Sequence, residues 1–319
     1  MRAEARPLNL DLLVTRACPM RCAYCRMRRR AGPMPERVWR RALDLLLREE
    51  SPLELQLMGG EPLAEYGAVR EIAAAAAREA ARRGKSLRLV LTTNGLLLSP
   101  ERSRELAGLG VRVMLSLDGD RDVQEANRSG SRSWGLLRRN LAGLLRSGAD
   151  CFVNLVATPV TAGRLRESAA FLLGEGVRRF QVAYALGLSW GEDSLRILEE
   201  QLRAACRLAR AARPAAEVFN RRNGAEPVLL SPQHLVDTDG QLYVGTSVVL
   251  ERLWPGLQEA FRVGPVAALI RLPGRRRSPA DQLRLLRGAR LAAPARRVLL
   301  NNLAVGARMR RFWRDLEAS

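Results

Sequence analysis

Eight consecutive residues hold the densest chemistry in the chain: Cys18-Pro19-Met20-Arg21-Cys22-Ala23-Tyr24-Cys25. Three thiols at C-x3-C-x2-C spacing follow directly on an apolar run, Leu8 to Val14. Cysteine thiolates are the usual ligands of iron–sulfur clusters, and three on one short loop can hold three corners of a [4Fe–4S] cube. No fourth cysteine lies nearby, so one iron would keep an open position for a small molecule. That is the logic of a catalytic metal site rather than a closed structural one. Two competing readings are a buried cysteine cluster and a zinc site. Zinc calls for a fourth Cys or His close by, and the only histidine of the chain is His234.

A ligand loop needs a frame, and the flanking pattern supplies one. Apolar runs at Leu8–Val14, Leu53–Met58, Leu87–Thr92, Val111–Leu117, Cys151–Ala157 and Phe180–Ala185 read as six strands. Helical patterns fall between them, opening with Pro35 and with a long Ala-rich stretch from Tyr66 to Arg83. Strands that alternate with helices predict parallel βαβ units. The rhythm stops after Leu186, short of the eight units of a closed barrel. The expected fold is therefore α/β, a partial (β/α)6 TIM-type barrel with a small C-terminal α+β appendage. The expected division is 1–190 for the barrel, 191–270 for a degenerate second region, and 271–319 for a basic linker and C-terminal helix. Within the second region His234–Val244 predicts a hairpin turning at Asp239-Gly240.

Polar motifs sit where these strands end, which is where barrels of this type collect their chemistry. Gly59-Gly60-Glu61-Pro62 follows strand two, and its glycines allow a ligand to approach the backbone closely. Thr92-Thr93-Asn94-Gly95 ends strand three and reads equally well as a plain turn. Ser116 and Asp118 end strand four, where small polar groups can hydrogen-bond sugar hydroxyls. Asn154 interrupts an apolar strand, with Thr158 near it, and a buried Asn needs partners, whether ligand or backbone. Arg128 can pair with a ligand carboxylate through its guanidinium fork.

Taken together, these motifs resemble the radical S-adenosylmethionine (radical SAM) superfamily. The order of Met58-Gly59-Gly60-Glu61-Pro62, Thr92-Thr93-Asn94-Gly95, Ser116-Leu117-Asp118-Gly119 and Asn154–Pro159 is similar to its SPASM/twitch branch of peptide maturases. The resemblance implies one [4Fe–4S] cluster on Cys18, Cys22 and Cys25, and S-adenosyl-L-methionine on its open iron. It implies cofactor contacts from Tyr24, Gly59, Gly60, Glu61, Thr92, Asn94, Ser116, Asp118, Arg128 and Asn154. It also implies reductive cleavage to a 5′-deoxyadenosyl radical that abstracts a substrate hydrogen, most naturally from a ribosomally made peptide. The alternatives are a nucleoside or other small metabolite as substrate, or a non-catalytic cluster-binding relative. The chain departs from the branch where Asp239-Gly240-Gln241-Leu242-Tyr243 runs on to Gly245 and Thr246, instead of a cluster-binding cysteine and an aspartate. The branch's His-Asp pair after Ser-Leu-Asp-Gly is Gln124-Glu125 here. No cysteine follows Cys206, so a single cluster is expected and sulfatase maturation is disfavoured. Cys151 and Cys206 read as core residues.

Composition bounds the rest. A chain of 319 residues with 47% hydrophobic content can bury a sizeable core. It has no apolar run of the roughly 18–20 residues a membrane span needs and no signal-peptide core after Met1–Arg6. Five cysteines, three of them clustered, do not form a disulfide framework. A soluble cytoplasmic protein is expected. The net charge is +20, and Lys85 is the only lysine among 53 basic residues. Such a surface attracts acidic partners, here an electron donor such as flavodoxin or ferredoxin. The arginines are scattered over many helices, which disfavours nucleic acid.

Overall fold

In the computed structural model the two faces of the barrel strands differ, and that difference decides the architecture. Leu10, Leu12, Leu53, Leu55, Leu57, Leu91, Val113, Leu115, Val153 and Leu155 are buried against the helices. Their neighbours Asp11, Gln56, Arg112, Asn154 and Gln181 line a cavity on the other face. Parallel strands covered by helices on both faces read as continuous apolar runs. Alternating ones must curl around something polar. The structure describes residues 7–50, 52–129, 134–222, 229–230, 233–245, 250–273 and 279–317.

In chain order the elements are β1 (Leu8–Thr15), β2 (Arg21–Cys22), α1 (Glu36–Leu47), β3 (Leu53–Gly59), α2 (Tyr66–Arg82), β4 (Leu87–Thr93), α3 (Pro100–Gly108) and β5 (Val111–Ser116). Next come α4 (Arg121–Asn127), β6 (Arg128–Ser129), α5 (Trp134–Arg146), β7 (Cys151–Ala157), α6 (Leu165–Gly174), β8 (Arg179–Tyr184) and α7 (Glu192–Ala211). Last are β9 (Glu217–Val218), β10 (His234–Val236), β11 (Gln241–Val244), β12 (Arg262–Pro265), α8 (Pro279–Gly288) and α9 (Ala293–Glu317).

The six expected strands are β1, β3, β4, β5, β7 and β8, parallel and adjacent in sequence order. This is the (β/α)6 partial barrel. Short additions extend both edges into a ten-stranded sheet: β9 pairs parallel with β8, and β10 pairs parallel with β1 and leads the β10–β11–β12 antiparallel meander. The hairpin turns at Asp239-Gly240, where Gly240 has φ +84°. The sixth unit is completed by α7, so the last barrel helix lies beyond residue 190.

Local chemistry explains the helix starts. Ser99 accepts from Arg102 N ahead of Pro100 at the first turn of α3, and Asp120 accepts from Val123 N to start α4. In α2 the core face is Val69, Ile72, Ala73, Ala76 and Ala80, whose small side chains bring the helix close to the sheet. Helices α4 and α8 were not among the expected elements. Helix α4 is too short for its periodicity to show, and α8 follows the basic stretch 271–279, of which 274–278 lie outside the described residues.

Candidate active site

At the C-terminal ends of the strands one cavity of about 210 Å³ gathers Cys18, Cys22, Cys25, Tyr24, Gly59, Gly60, Thr92, Asn94, Ser116, Arg128 and Asn154. Residues spread over 137 positions of sequence, Cys18 to Asn154, thus meet in one place because every strand delivers its end to the same rim. Glu61 and Asp118 are absent from the lining, and the structure gives each another task.

Glu61 is fully buried. Its Oε1 accepts from Leu63 N at 3.1 Å and Thr93 Oγ at 2.7 Å, and its Oε2 accepts from Asn94 N at 2.7 Å. The carboxylate therefore ties the end of β3 to the end of β4. Burial pushes its pKa up, and these hydrogen bonds resist the shift. Thr93-Asn94 is consequently more than a turn: Asn94 is held so that its Nδ2 faces Cys18 Sγ at 3.9 Å. The two glycines before Glu61 have a reason of their own. A Cβ on Gly59, at φ +139°, would lie 2.2 Å from Thr15 O, and one on Gly60 would lie 2.2 Å from Ala17 O. What crosses so closely is the stem of the cysteine loop itself, held by Gly60 N to Thr15 O and Glu61 N to Ala17 O, both 2.8 Å. The close approach these two glycines permit is made by the chain's own backbone.

Asp118 likewise turns inward. It is fully buried and receives the fork of Arg128, Nε at 2.9 Å and Nη2 at 3.0 Å. It also accepts from Val156 N at 2.9 Å and Asn127 Nδ2 at 3.2 Å. The Asp118 carboxylate thus anchors Arg128. The fork expected to grip a ligand carboxylate is taken by Asp118, although Arg128 still lines the cavity. Arg128 stands with its guanidinium 5.5 Å from the Tyr24 ring centroid, and β6 pairs with β2, placing Arg128 opposite Cys22. Thr158 is spent within the protein, bonding Asn127 and Thr161. Gln124, where the branch has histidine, accepts from Asp118 N at 2.9 Å.

Burial pushes the Cys22 thiol up to about 11, against the pull of the Arg128 charge, and burial also raises Cys18. Among the described residues no three His, Cys, Asp or Glu converge on a position for a single metal ion. A cube is held differently, each thiolate on its own iron. The relevant test is whether three thiols share one cavity, and they do. A second observation fits a ligand there: the Tyr24 hydroxyl is buried without a hydrogen-bond partner among the described residues.

Against known families, residues 12–172, just over half of the chain, match the Radical SAM superfamily. The chain belongs to this superfamily. Among curated relatives of this radical SAM chain, PqqA peptide cyclase of Gluconobacter oxydans is 27% identical over 67% of the chain and 60% of that protein. GTP 3′,8-cyclase of Geobacter sulfurreducens is 34% identical over 45% of the chain and 43% of that protein. The chain thus spans less than two thirds of the length of these relatives. Among solved structures, native anSMEcpe with bound AdoMet and the Cp18Cys peptide superposes with a TM-score of 0.71 at 16% identity, over 91% of this chain and 85% of that one. Streptococcus suis SuiB bound to precursor peptide SuiA gives 0.57 at 17%, over 77% and 60%. At such identities the likeness speaks for the fold.

The radical SAM site contains residues that motif reading passed over. Arg16, at the root of the cysteine loop, is buried between Asp237 and Glu251, with Nε 2.8 Å from Asp237 and Nη1 2.6 Å from Glu251. Asn127 joins Asp118, Val156, Thr158 and Thr161, and its carbonyl accepts from Ala23 N of the cysteine loop. Asp11, Gln56 and Gln181 face the barrel interior. The period-two alternation of their strands was the available signal for that last set.

Proposed function

We propose that this radical SAM chain modifies a ribosomally made peptide, using one [4Fe–4S] cluster on Cys18, Cys22 and Cys25 with S-adenosylmethionine beside it. The single observation that carries the reading is the convergence of those thiols with the ends of four different strands on one cavity. Loaded in this way, the site would supply a 5′-deoxyadenosyl radical that takes a hydrogen atom from the substrate. The protein's own share is placement. Glu61 sets Thr93 and Asn94, and Asn94 offers an N–H to the Cys18 sulfur. Asp118 sets Arg128, whose charge lies by Cys22 and Tyr24. Gly59, Gly60, Tyr24, Thr92, Ser116 and Asn154 are the proposed cofactor contacts, since they line the remaining wall.

A peptide substrate is supported by the likeness to PqqA peptide cyclase, the curated match that spans two thirds of the chain. The higher identity to GTP 3′,8-cyclase over a shorter stretch favours a nucleotide as the second reading. The proposed reductant is an acidic protein such as flavodoxin or ferredoxin, attracted to the exposed Arg28, Arg29 and Arg30 beside the cysteine loop. Anaerobically reconstituted protein should release 5′-deoxyadenosine on reduction, and Cys22→Ala should abolish the release. Undiminished release from Cys22→Ala would refute the reading. Mass spectrometry of a candidate peptide after co-expression separates the two substrate classes.

A further inference from the structure

Beneath the cofactor-side cavity the barrel is hollow. A second cavity of about 740 Å³ fills its interior and shares Met58 and Asn154 as walls with the first. A TIM-type interior is ordinarily packed with branched apolar side chains. Here polar side chains share the walls with apolar ones such as Met114, Phe152 and Trp313, and several of the polar groups are already paired. Arg88 lies 3.2 Å from Glu54, and Arg112 Nε lies 2.5 Å from Asp150. Gln56 Nε2 donates to Thr92 Oγ at 2.7 Å, and Gln181 Nε2 donates to Asn154 Oδ1 at 2.9 Å.

Asp11 stands apart. It is 6% exposed, lines this cavity, and its Oδ1 has no hydrogen-bond partner among the described residues. Its neighbour in register on β3 is Gln56, whose amide nitrogen is committed to Thr92 and whose carbonyl oxygen is left as a second acceptor at the same level. A buried carboxyl without a partner costs free energy. An unpartnered carboxyl oxygen beside an amide oxygen describes half of a binding site.

We propose that the barrel interior receives a substrate side chain that ends in a cationic nitrogen, with Asp11 as its counter-ion and Gln56 as a second acceptor. The proposal rests on the peptide reading above and names the kind of residue such a peptide presents. A cation supplies what Asp11 lacks, through a charge-assisted hydrogen bond. Ionised Asp11 would repel a carboxylate, and a hydrocarbon would leave it unpaired. Depth selects length. Asp11 lies two strand residues, about 7 Å, below the level of Leu13 and Met58. A flexible stem must pass the apolar Met58 before its nitrogen reaches Asp11, which suits lysine or arginine and excludes serine or asparagine. The stem's carbon atoms then lie nearest the cofactor cavity, where hydrogen abstraction would occur.

The test uses cluster-loaded protein with S-adenosylmethionine and no reductant, titrated calorimetrically with n-butylammonium chloride, n-butanol and sodium butyrate. Butylammonium should bind saturably and at least about tenfold more tightly than the other two. Asp11→Asn should erase that preference, and Asp11→Glu should keep its sign. Butyrate binding as well as butylammonium, absence of saturable butylammonium binding, or unaltered butylammonium affinity in Asp11→Asn would each overturn the assignment. If Asp11→Asn does not fold, the three probes on the unmodified protein decide alone. Failure here is distinct from failure of the parent reading, which is scored by mass spectrometry of a co-expressed candidate peptide.

Discussion

Single carboxylates hold this site together, and two of them make opposite demands. Glu61 is satisfied by three donors, two of them N–H groups of the main chain. Glu61→Gln keeps the shape but turns one acceptor oxygen into a donor that faces other donors. Thr93 and Asn94 should shift, and S-adenosylmethionine affinity should fall by about tenfold or more, measured by equilibrium dialysis at equal iron content. Asp11 is the reverse case, unsatisfied and held up to about 8 by burial first and by Glu54 second. Because its folded pKa lies above the unfolded value, the native state binds more protons between about pH 4 and 8. Stability from this group is therefore lost as pH rises through that window. Asp11→Asn should raise the melting temperature at pH 8 and change it less at pH 5; an equal effect at both values would contradict the shift.

At the scale of elements, the cysteine loop is gripped from two sides. From the barrel, β3 and the glycine pair hold its stem. From the C-terminal meander, Asp237 at the end of β10 and Glu251 hold Arg16, and Glu251 also accepts from Arg28 N. The region that has Gly245 in place of a cluster cysteine is thus structurally employed as a brace for the first cluster's loop. Removing one member of a buried ion pair typically costs about 3–5 kcal/mol. Glu251 remains as a second partner, so Asp237→Asn should cost about 3 kcal/mol in denaturant unfolding, with less iron retained after reconstitution. A stability unchanged within about 0.5 kcal/mol would mean that the brace is idle. Helix α9 closes the barrel's open side in a comparable way. Asn301 and Asn302 hydrogen-bond Trp190, Gly187 and Leu188 of the loop after β8, and Met309 and Trp313 wall the interior cavity.

For the whole molecule, charge is the dominant feature. Many of the 53 basic residues are used internally or along helices, as in Arg82 with Glu79 and Arg308 with Glu199. Exposed pairs of this kind add little stability. Their long-range field matters more. The Arg28–Arg30 run lies exposed at the rim that carries the cysteines. Electron delivery from an acidic flavodoxin should slow steeply as salt rises from 0.05 to 0.5 M, since the Debye length shortens from about 10 Å at 0.1 M to about 3 Å at 1 M. Reduction by dithionite should respond far less. Equal salt dependence for both reductants would argue against docking at this rim. Among the described residues no helix is long and apolar enough to cross a membrane.

The sequence by itself determined the six parallel strands, because apolar runs of strand length alternating with helical patterns leave few other packings. It also determined which loop is the proposed cluster site, because three thiols at fixed short spacing need no fold to be adjacent. Strand ends could be named as the candidate site from the same pattern: Gly59, Thr92 and Ser116 each lie at or near the end of a recognised strand, and Asn154 interrupts the middle of another. What only the tertiary structure decided is which way a side chain at that rim spends its hydrogen bonds. Glu61 and Asp118 read as ligand contacts in one dimension, and their carboxylates bond Asn94, Arg128 and Val156, which come from other segments. Arg16 was invisible for the same reason, with its partners Asp237 and Glu251 more than 200 residues away. The hollow interior stands between these cases. Asp11, Gln56, Arg112, Asn154 and Gln181 alternate visibly along their strands, but closing the curved sheet is what turns one face into a cavity and leaves Asp11 without a partner.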